Sequence, residues 1–254
     1  MRVAFLFSGQ ARCSPFSFND KFGSDIIDCY EKYLFTEEFK KKHEYKIYLT
    51  SDNLRLDKVF RYFGRDNIRN VHLIDSEYYY KPIESKTPEV KFYMNKYLFE
   101  RDWTGYQVYP NSIFQHHKIL DCYNLLRNDP DNNFDFICRI RFDTIFKFDL
   151  CKVLDSMGPK QLLATSWDYF SIGRPVIMDR YCTGLEDRYG MYPFPMDVGT
   201  PNICPQYMTL EPIRWTYAPE TQLFGILFEY CQKNKLDINE SLIDLGEDNC
   251  RILR

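Results

Sequence analysis

The amino-terminal part of the chain alternates short apolar runs with amphipathic segments. Residues 2–7, 45–50 and 71–75 each have the apolar pattern of a buried strand. Between them, over 20–34 and again over 56–63, apolar residues recur at helical spacing. Because a β-α-β-α-β order favours right-handed crossovers between parallel strands, we expect an α/β chain with a mostly parallel central sheet.

Capping residues set some of the expected boundaries. Asp20 is a suitable N-cap for the first helix, and Thr87 with Pro88 suits the start of a later one. Residues 112–127 have a strong helical pattern, and residues 134–148 read as a single strand with a polar centre. The charged stretch over 37–42 is expected to be a solvated helix end.

The carboxyl-terminal part is less regular. Two strands are expected within 161–178, around Gly173. Five prolines fall within 179–218, which predicts a long irregular lid or binding loop. A final helix is expected to begin at Pro219. We expect one domain, in which residues 1–150 bind the nucleotide and residues 151–254 form the acceptor side.

Composition excludes several classes of protein. The 33 basic and 36 acidic residues give a net charge of −3, which argues against a surface that follows nucleic-acid phosphates. No run approaches the roughly 18 apolar residues needed to span a bilayer. The start of the chain does not read as a signal peptide, and nine scattered cysteines without C-x-x-C pairs favour a reducing compartment. We therefore expect a cytoplasmic protein.

A polar motif follows the first strand. Ser8, Gly9, Gln10 and Arg12 lie where parallel sheets bind ligands, outside the carboxyl ends of their strands. Glycine allows a close backbone approach, and the glutamine and arginine side chains are suited to a base or a phosphate. An ordinary turn between strand and helix is the alternative. Asp52, directly after the second strand, is assigned to the same nucleotide site.

Three charged residues alternate in the segment 134–148. Arg139, Arg141 and Asp143 would point to one face of a continuous strand. Unpaired buried charge is expensive, so the pattern favours a diphosphate site in which Asp143 binds a divalent cation and the arginines meet phosphate oxygens. A structural Arg–Asp pair, or a sheet end that faces solvent, are the alternatives.

Together these motifs resemble small GT-A-type glycosyltransferases of large DNA viruses, chloroviruses included, and of some bacteria. The resemblance spans most of the chain, although each motif is short. It is carried by the Ser-Gly-Gln-x-Arg motif, Gln115 and Lys118, the sequence Phe-Asp-Phe-Ile-x-Arg-Ile-Arg-Phe-Asp at 134–143, residues 167–173, and Pro-Glu-Thr-Gln at 219–222.

The resemblance implies a GT-A-like, Rossmann-like single domain with helices flanking its sheet. It implies transfer of a hexose or pentose from a UDP- or GDP-sugar to a glycan hydroxyl, assisted by Mn²⁺ or Mg²⁺ at Asp143. Gln115 and Gly173 would also line the donor site. The family's usual Asp-x-Asp motif is altered, because Arg141 occupies its first position. An arginine would then replace part of the metal's charge.

The catalytic base is expected among downstream carboxylates. Glu220 opens a helix, where the helix dipole alone favours a carboxylate, yet inverting members of the family commonly place their base there. Asp168 is the other leading candidate, and Asp197 is a rival. Inversion is expected because such a carboxylate is available.

Two other functional classes are weighed. A non-catalytic protein that binds a nucleotide-sugar or glycan is the main alternative, since only one of the motif's two acidic residues, Asp143, is present. A nucleotidyltransferase would need more paired carboxylates, and a sulfotransferase would need a phosphate loop after the first strand; neither pattern is apparent. If the protein is viral, its expected location is the host cytoplasm.

Overall fold

The computed structural model describes residues 1–11, 13–74, 110–166, 169–189 and 227–253. The strands are β1 (Arg2–Ser8), β2 (Glu44–Ser51), β3 (Ile68–Leu73), β4 (Phe136–Ile140), β5 (Thr144–Phe146), β6 (Leu163–Ser166), β7 (Phe170–Gly173), β8 (Leu242–Asp244) and β9 (Cys250–Ile252). The helices are α1 (Gly23–Tyr33), α2 (Glu37–Lys42), α3 (Leu56–Phe63), α4 (Pro110–Arg127), α5 (Leu150–Ser156), α6 (Pro175–Tyr189), α7 (227–233) and α8 (Ile238–Ser241).

The expected α/β architecture is confirmed. Seven strands form a central sheet in the order β3-β2-β1-β4-β7-β6-β8. Strands β1 to β4 run parallel, β7 is antiparallel to both neighbours, and β6 pairs parallel with β8. The described helices flank this sheet within one domain. Strand β1 has β2 on one side and β4 on the other, so the chain changes direction across the sheet at this point, where open α/β sheets bind ligands.

The first helix differs from its prediction. Helix α1 begins at Gly23, after an N-cap residue, Phe22, that makes no capping side-chain bond. The expected cap, Asp20, instead accepts a hydrogen bond from Lys58 Nζ at 2.6 Å, while its backbone oxygen accepts one from Gly23. The prediction that Asp20 caps the helix was wrong because a turn and a contact with α3 claim that residue.

The charged stretch over 37–42 is a separate helix rather than a helix end. The Thr36 side chain caps α2 by accepting a hydrogen bond from the Phe39 N–H at 3.0 Å. Glutamates occupy its first turn and lysines its last, which complements the helix dipole. Phe39 is fully buried and anchors this polar helix to the core.

The single strand expected over 134–148 is two strands in two different sheets. Strand β4 ends at Ile140, and β5 pairs antiparallel with β9 in a separate two-stranded sheet. Arg141 and Asp143 therefore lie in the connection, where strand alternation does not apply. Their side chains meet through a direct ion pair instead.

The expected loop over 179–218 begins too early. Helix α6 runs from Pro175 to Tyr189, since proline suits a first helical position and buried Ile177, Met178, Tyr181 and Cys182 follow at helical spacing. Both strands expected within 161–178 are present, as β6 and β7, and the second ends at Gly173. The remainder of 179–218 lies outside the described residues, as does the predicted helix that begins at Thr87.

The two faces of the central sheet carry separate parts of the core. Val3, Phe5 and Phe7 face the layer formed by α1, α2 and α3. Ala4 and Leu6 face α4 and α6. The helix predicted over 112–127 is confirmed as α4, and its residues Ile119, Cys122, Tyr123 and Leu126 are all buried against this second face. None of the helices described is long and apolar enough to cross a membrane.

Candidate functional site

The turn after β1 brings the backbone close to the segment that follows β4. Gly9 has a φ of +131°, which favours glycine, and its N–H donates to the carbonyl oxygen of Thr50 at 3.3 Å. A Cβ atom at Gly9 would lie 4.0 Å from Cγ of Arg141. The glycine thus lets the carboxyl ends of β1, β2 and β4 converge on one place.

An ion pair joins the end of β2 to helix α4. Lys118 Nζ donates to Asp52 Oδ2 at 3.0 Å, and Gln10 Nε2 lies 3.5 Å from the same oxygen. Lys118 is almost fully buried. The sequence offered a signal for it, since a lysine directly before Ile119 interrupts an apolar helix face, but the site assignment left Lys118 out.

A second ion pair occupies the connection after β4. Arg141 donates from Nε to Asp143 Oδ1 at 2.9 Å and from Nη2 to Asp143 Oδ2 at 3.0 Å. Its third nitrogen, Nη1, donates to Gln115 Oε1 at 3.1 Å. Gln115 and Lys118 are three residues apart on α4, so one helix face meets both ion pairs.

Tyr30 of α1 holds the backbone of the segment that follows β4. Its hydroxyl donates to the carbonyl oxygens of Arg141 and Phe142, at 3.3 and 3.4 Å. Complete burial raises the pKa of Tyr30 well above its usual value, and the nearby Asp143 carboxylate adds to the effect. The phenol therefore stays protonated and remains a hydrogen-bond donor to the backbone that presents Arg141.

Of the three charged residues Arg139, Arg141 and Asp143, all of them described, Arg139 alone lies within a strand. It is fully buried, and its Nε donates to Ser8 Oγ at 3.2 Å. Its terminal nitrogens Nη1 and Nη2 have no hydrogen-bond partner among the described residues. Ser171, its cross-strand neighbour on β7, has a buried hydroxyl in the same condition. The charge needs a partner that the described part of the chain does not supply.

Thiol chemistry is disfavoured at this edge of the sheet. Cys122 lies on α4 with its Sγ 3.4 Å from the carbonyl oxygen of Tyr48. Burial raises the pKa of Cys122 to about 12, although the positive charge of Arg139 opposes that shift. A thiol with such a pKa is protonated at neutral pH and is a poor nucleophile.

The described residues do not form a divalent-cation site around Asp143. Its carboxylate is fully buried, and both oxygens already accept hydrogen bonds from Arg141. Among the described residues, the group with three suitable ligand atoms close together is elsewhere, at Glu38, Cys151 and Asp155. Mn²⁺ or Mg²⁺ at Asp143 would have to displace an arginine from a two-point contact, so this donor set does not fit the ion.

Gly173 does not join the other assigned residues. It lies at the end of β7, opposite Ile137 and Leu163, and so away from the edge where β4 ends. A Cβ atom there would lie 2.5 Å from the carbonyl oxygen of Leu162 and 2.9 Å from Cγ2 of Ile177. Close packing explains the glycine in the described structure.

Several assigned residues cannot be placed relative to this cluster. Arg12, Asp168, Asp197 and Glu220 lie outside the described residues. The structure brings together eight assigned residues with Lys118 at the carboxyl ends of β1, β2 and β4. The eight are Ser8, Gly9, Gln10, Asp52, Gln115, Arg139, Arg141 and Asp143.

Similarity to known proteins is found among solved structures. No protein-family model and no curated protein matches the chain. Among solved structures, the apo form of mouse xyloside xylosyltransferase 1 is similar with 10% identity and a TM-score of 0.41, over 96% of this chain and 84% of that one. The galactosyltransferase LgtC, in complex with donor and acceptor sugar analogs, is similar with 13% identity and a TM-score of 0.32, over 75% of this chain and 52% of that one. Both are glycosyltransferases by name, but at TM-scores this low we base no conclusion about this chain on either likeness.

Proposed function

We propose that the protein transfers a sugar from a UDP- or GDP-sugar to a hydroxyl of a glycan acceptor. The observation that carries the proposal is the buried Arg139 guanidinium, whose Nη1 and Nη2 lack partners among the described residues. An anion would complete these hydrogen bonds. Because Arg139 contacts Ser8 beside the point where the sheet changes direction, the phosphates of a nucleotide are the favoured anion.

The surrounding charges support binding of a diphosphate. Lys118 pairs with Asp52, and Arg141 pairs with Asp143. The Arg139 guanidinium contacts Ser8 and forms no ion pair among the described residues. The excess is positive, whereas the chain as a whole carries a net charge of −3. Local positive charge in a site shielded from water attracts and stabilises phosphate groups.

The proposed reaction is a single displacement. The acceptor oxygen attacks the anomeric carbon, the bond from that carbon to the diphosphate oxygen breaks, and the diphosphate leaves with the electron pair. Arg139 and Arg141 would stabilise the charge that develops on it. Glu220 and Asp168 are the proposed bases that take the acceptor's proton, with inversion at the anomeric carbon. Ser8, Gly9, Gln10, Arg12, Asp52 and Gln115 are proposed nucleotide contacts.

Arg141 takes the place of a metal ion in this proposal. Asp143 and Gln115 fix three of its nitrogens, and its side chain keeps 12% of its surface exposed. A guanidinium held in this way presents a fixed positive charge without coordination chemistry. Asp143 then orients the arginine, which is a different role from the metal ligand that the family resemblance implies.

The test is a thermal-shift screen of UDP- and GDP-sugars with the full chain, in EDTA and in Mn²⁺. A ligand at 100 times its Kd stabilises a fold by about 2.7 kcal/mol, so a true donor should raise Tm by several degrees. Arg139→Met should abolish that shift. Arg174→Met is the matched control, because this arginine lies over the Phe136 ring, away from the carboxyl ends of the parallel strands.

Each outcome has a defined meaning. Absence of any shift, or a shift that Arg139→Met retains, would refute the proposed site. A shift that requires Mn²⁺ in the wild type and is lost in Asp143→Asn would restore Asp143 as a metal ligand. The buried Arg141–Asp143 pair also favours a non-catalytic binding protein as the second candidate. Donor binding without hydrolysis or transfer to any glycan offered would establish that candidate.

A further inference from the structure

A second buried polar side chain lies beside Arg139, on the next strand of the central sheet. Ser171 of β7 is the cross-strand partner of Arg139 on β4, so the two side chains leave the same face of the sheet with their Cβ atoms about 5 Å apart. The neighbours Phe170 and Ile172 belong to the core on the opposite face, in agreement with this direction. Ser171 is fully buried, and its hydroxyl has no hydrogen-bond partner among the described residues.

Arg139 and Ser171 together offer three donor atoms for one anion. The Arg139 Nε donates to Ser8 Oγ at 3.2 Å, which anchors the guanidinium and leaves Nη1 and Nη2 without partners among the described residues. Buried donors without acceptors are costly, and phosphate oxygens accept several hydrogen bonds at once. Building on the sugar transfer proposed above, we propose that Ser171 binds the distal phosphate of the donor, which is the phosphate bonded to the sugar.

The order of the strands indicates which phosphate Ser171 meets. The proposed nucleotide contacts Gln10 and Asp52 directly follow β1 and β2, and β4 lies between β1 and β7. Ser171 is therefore on the side of Arg139 that is further from those contacts. Neighbouring strands are about 4.8 Å apart, so a ligand that crosses the strand ends reaches β7 after β4. The phosphate next to the nucleoside then lies nearer β1, and the distal phosphate lies nearer β7.

This arrangement makes Ser171 a specificity-determining residue. A nucleoside monophosphate ends before β7 and does not reach the Ser171 hydroxyl, whereas a nucleoside diphosphate does. A hydrogen bond to a charged phosphate oxygen is stronger than one between neutral groups. The hydroxyl therefore favours diphosphate ligands over monophosphate ligands.

Thr165 on β6 provides a matched control. It is the cross-strand partner of Ser171 and is only 5% exposed, but its hydroxyl donates to the carbonyl oxygen of Phe170 at 3.2 Å. Two buried hydroxyls thus lie side by side on neighbouring strands. The fold uses the hydroxyl of Thr165, whereas that of Ser171 has no partner among the described residues.

The experiment measures binding of UDP and UMP, and of GDP and GMP, to the full chain by calorimetry. Ser171→Ala should weaken binding of the diphosphate by about tenfold, because it removes a hydrogen bond to a charged group, and should leave monophosphate binding unchanged. Its Tm without ligand should not fall, because no hydrogen bond between described residues is lost. Thr165→Val should lower the Tm without ligand and leave the ratio of diphosphate to monophosphate affinity unchanged.

The outcomes separate this inference from the proposed function. If the wild type binds a diphosphate, Arg139→Met does not, and Ser171→Ala keeps the wild-type affinity ratio, the role of Ser171 is overturned and the proposed function stands. A fall in the unliganded Tm of Ser171→Ala as large as that of Thr165→Val, or failure of Ser171→Ala to fold, would also overturn the inference, since the hydroxyl would then serve the fold. If the wild type binds none of the four nucleotides, the proposed function fails and the role of Ser171 fails with it.

Discussion

The two faces of strands β1, β2 and β4 are built from different chemistry. On one face, the Phe5 ring packs against that of Phe35, between α1 and α2. The Phe7 ring packs against rings of α1, α3 and the connection after β4. On the opposite face, Ser8 and Arg139 follow directly after apolar residues of the same strands, and Ser171 continues the polar row onto β7. The same backbone thus supports a dry, aromatic core on one side. The other side, called here the polar face, is an apolar core interrupted by polar and charged groups.

The polar face itself changes along the strands. Near the amino-terminal edge, the Tyr48 hydroxyl donates to Asp129 Oδ2 at 2.7 Å, and Arg69 donates to both oxygens of that carboxylate. At the carboxyl ends, Arg139 keeps two nitrogens without partners among the described residues. Satisfied polar groups stabilise a fold, whereas unsatisfied ones are retained where a ligand completes them. The contrast separates residues whose polar groups the fold already satisfies from Arg139, whose proposed partner is a phosphate of the ligand.

A substitution on the dry, aromatic face of the sheet should give the largest loss of stability. Phe7 is fully buried, and its ring centroid lies 5.3 Å from that of Phe63 and 5.6 Å from that of Phe142. Phe7→Ala should lower the free energy of unfolding by about 3–5 kcal/mol, since it removes apolar contacts and leaves a cavity. Denaturant unfolding followed by fluorescence measures the change.

Phe18→Ala is the control for this variant. Phe18 is 73% exposed, so its truncation should change the free energy of unfolding by less than about 0.5 kcal/mol. A loss below about 1 kcal/mol in Phe7→Ala would mean that the ring cluster packs loosely, and the contrast between the faces would then lose its physical basis.

The dry face was also the part that the sequence predicted best. Apolar period and strand length located β1, β2 and α3 almost to the residue. The predictions failed where tertiary contacts decide the boundary. Asp20 is claimed by Lys58 rather than by its helix, and β4 stops at Ile140 because the following residues pair with a distant strand, β9. Neither partner is visible in local sequence.

Loss of the Asp129 contacts, at the end of the polar face where every named group has a partner, should give an intermediate and pH-dependent loss of stability. Burial alone would raise the pKa of Asp129, but hydrogen bonds from Arg69 and Tyr48 outweigh it and lower the pKa to about 2. Because the folded-state pKa is depressed, the stabilisation is present above the unfolded value of 3.8 and is lost as pH falls through about 2. The unfolding free energy should therefore fall by about 2 kcal/mol across that window.

Asp129→Asn should remove this contribution at pH 7 and flatten the acid limb of the stability curve. Denaturant unfolding at several pH values between 2 and 7 (roughly the range over which carboxylates titrate) measures both effects. Asp131→Asn is the matched control, since its carboxylate contacts the same Arg69 but is 49% exposed, and it should cost less than about 1 kcal/mol. An unchanged acid limb in Asp129→Asn would show that the contacts with Arg69 and Tyr48 do not stabilise the fold.

The candidate site was predictable in its residues but less so in its pairing. Position after β1 and β2 indicated Ser8, Gly9 and Asp52, because the carboxyl ends of parallel strands share one edge. The pairing of Arg141 with Asp143 was one of two structural alternatives, and only the turn after Ile140 decides it. Lys118 was missed as a site residue because its partner, Asp52, is distant in sequence and comes together with it only through the docking of α4.

A substitution of Arg139, at the end of the polar face where polar groups lack partners among the described residues, should change stability least and binding most clearly. Arg139→Met keeps a long side chain but removes a buried charge, and replacing buried charge by apolar groups of similar volume is often neutral or stabilising. Ser8 loses one hydrogen bond, worth about 1 kcal/mol. The unfolding free energy should therefore stay within about 1 kcal/mol of the wild-type value, while the thermal shift with a nucleotide-sugar disappears.

The paired measurement decides between a structural and a binding role for Arg139. Breaking a buried pair that the fold needs costs about 3–5 kcal/mol, so a loss of that size in Arg139→Met would make the guanidinium part of the scaffold. Arg139→Met/Ser8→Ala should recover any deficit that comes from the orphaned hydroxyl alone. Arg174→Met, which removes an arginine stacked on Phe136, should leave the ligand-induced shift intact. Stability retained with binding lost, in Arg139→Met alone, is the result that only a residue kept for its ligand gives.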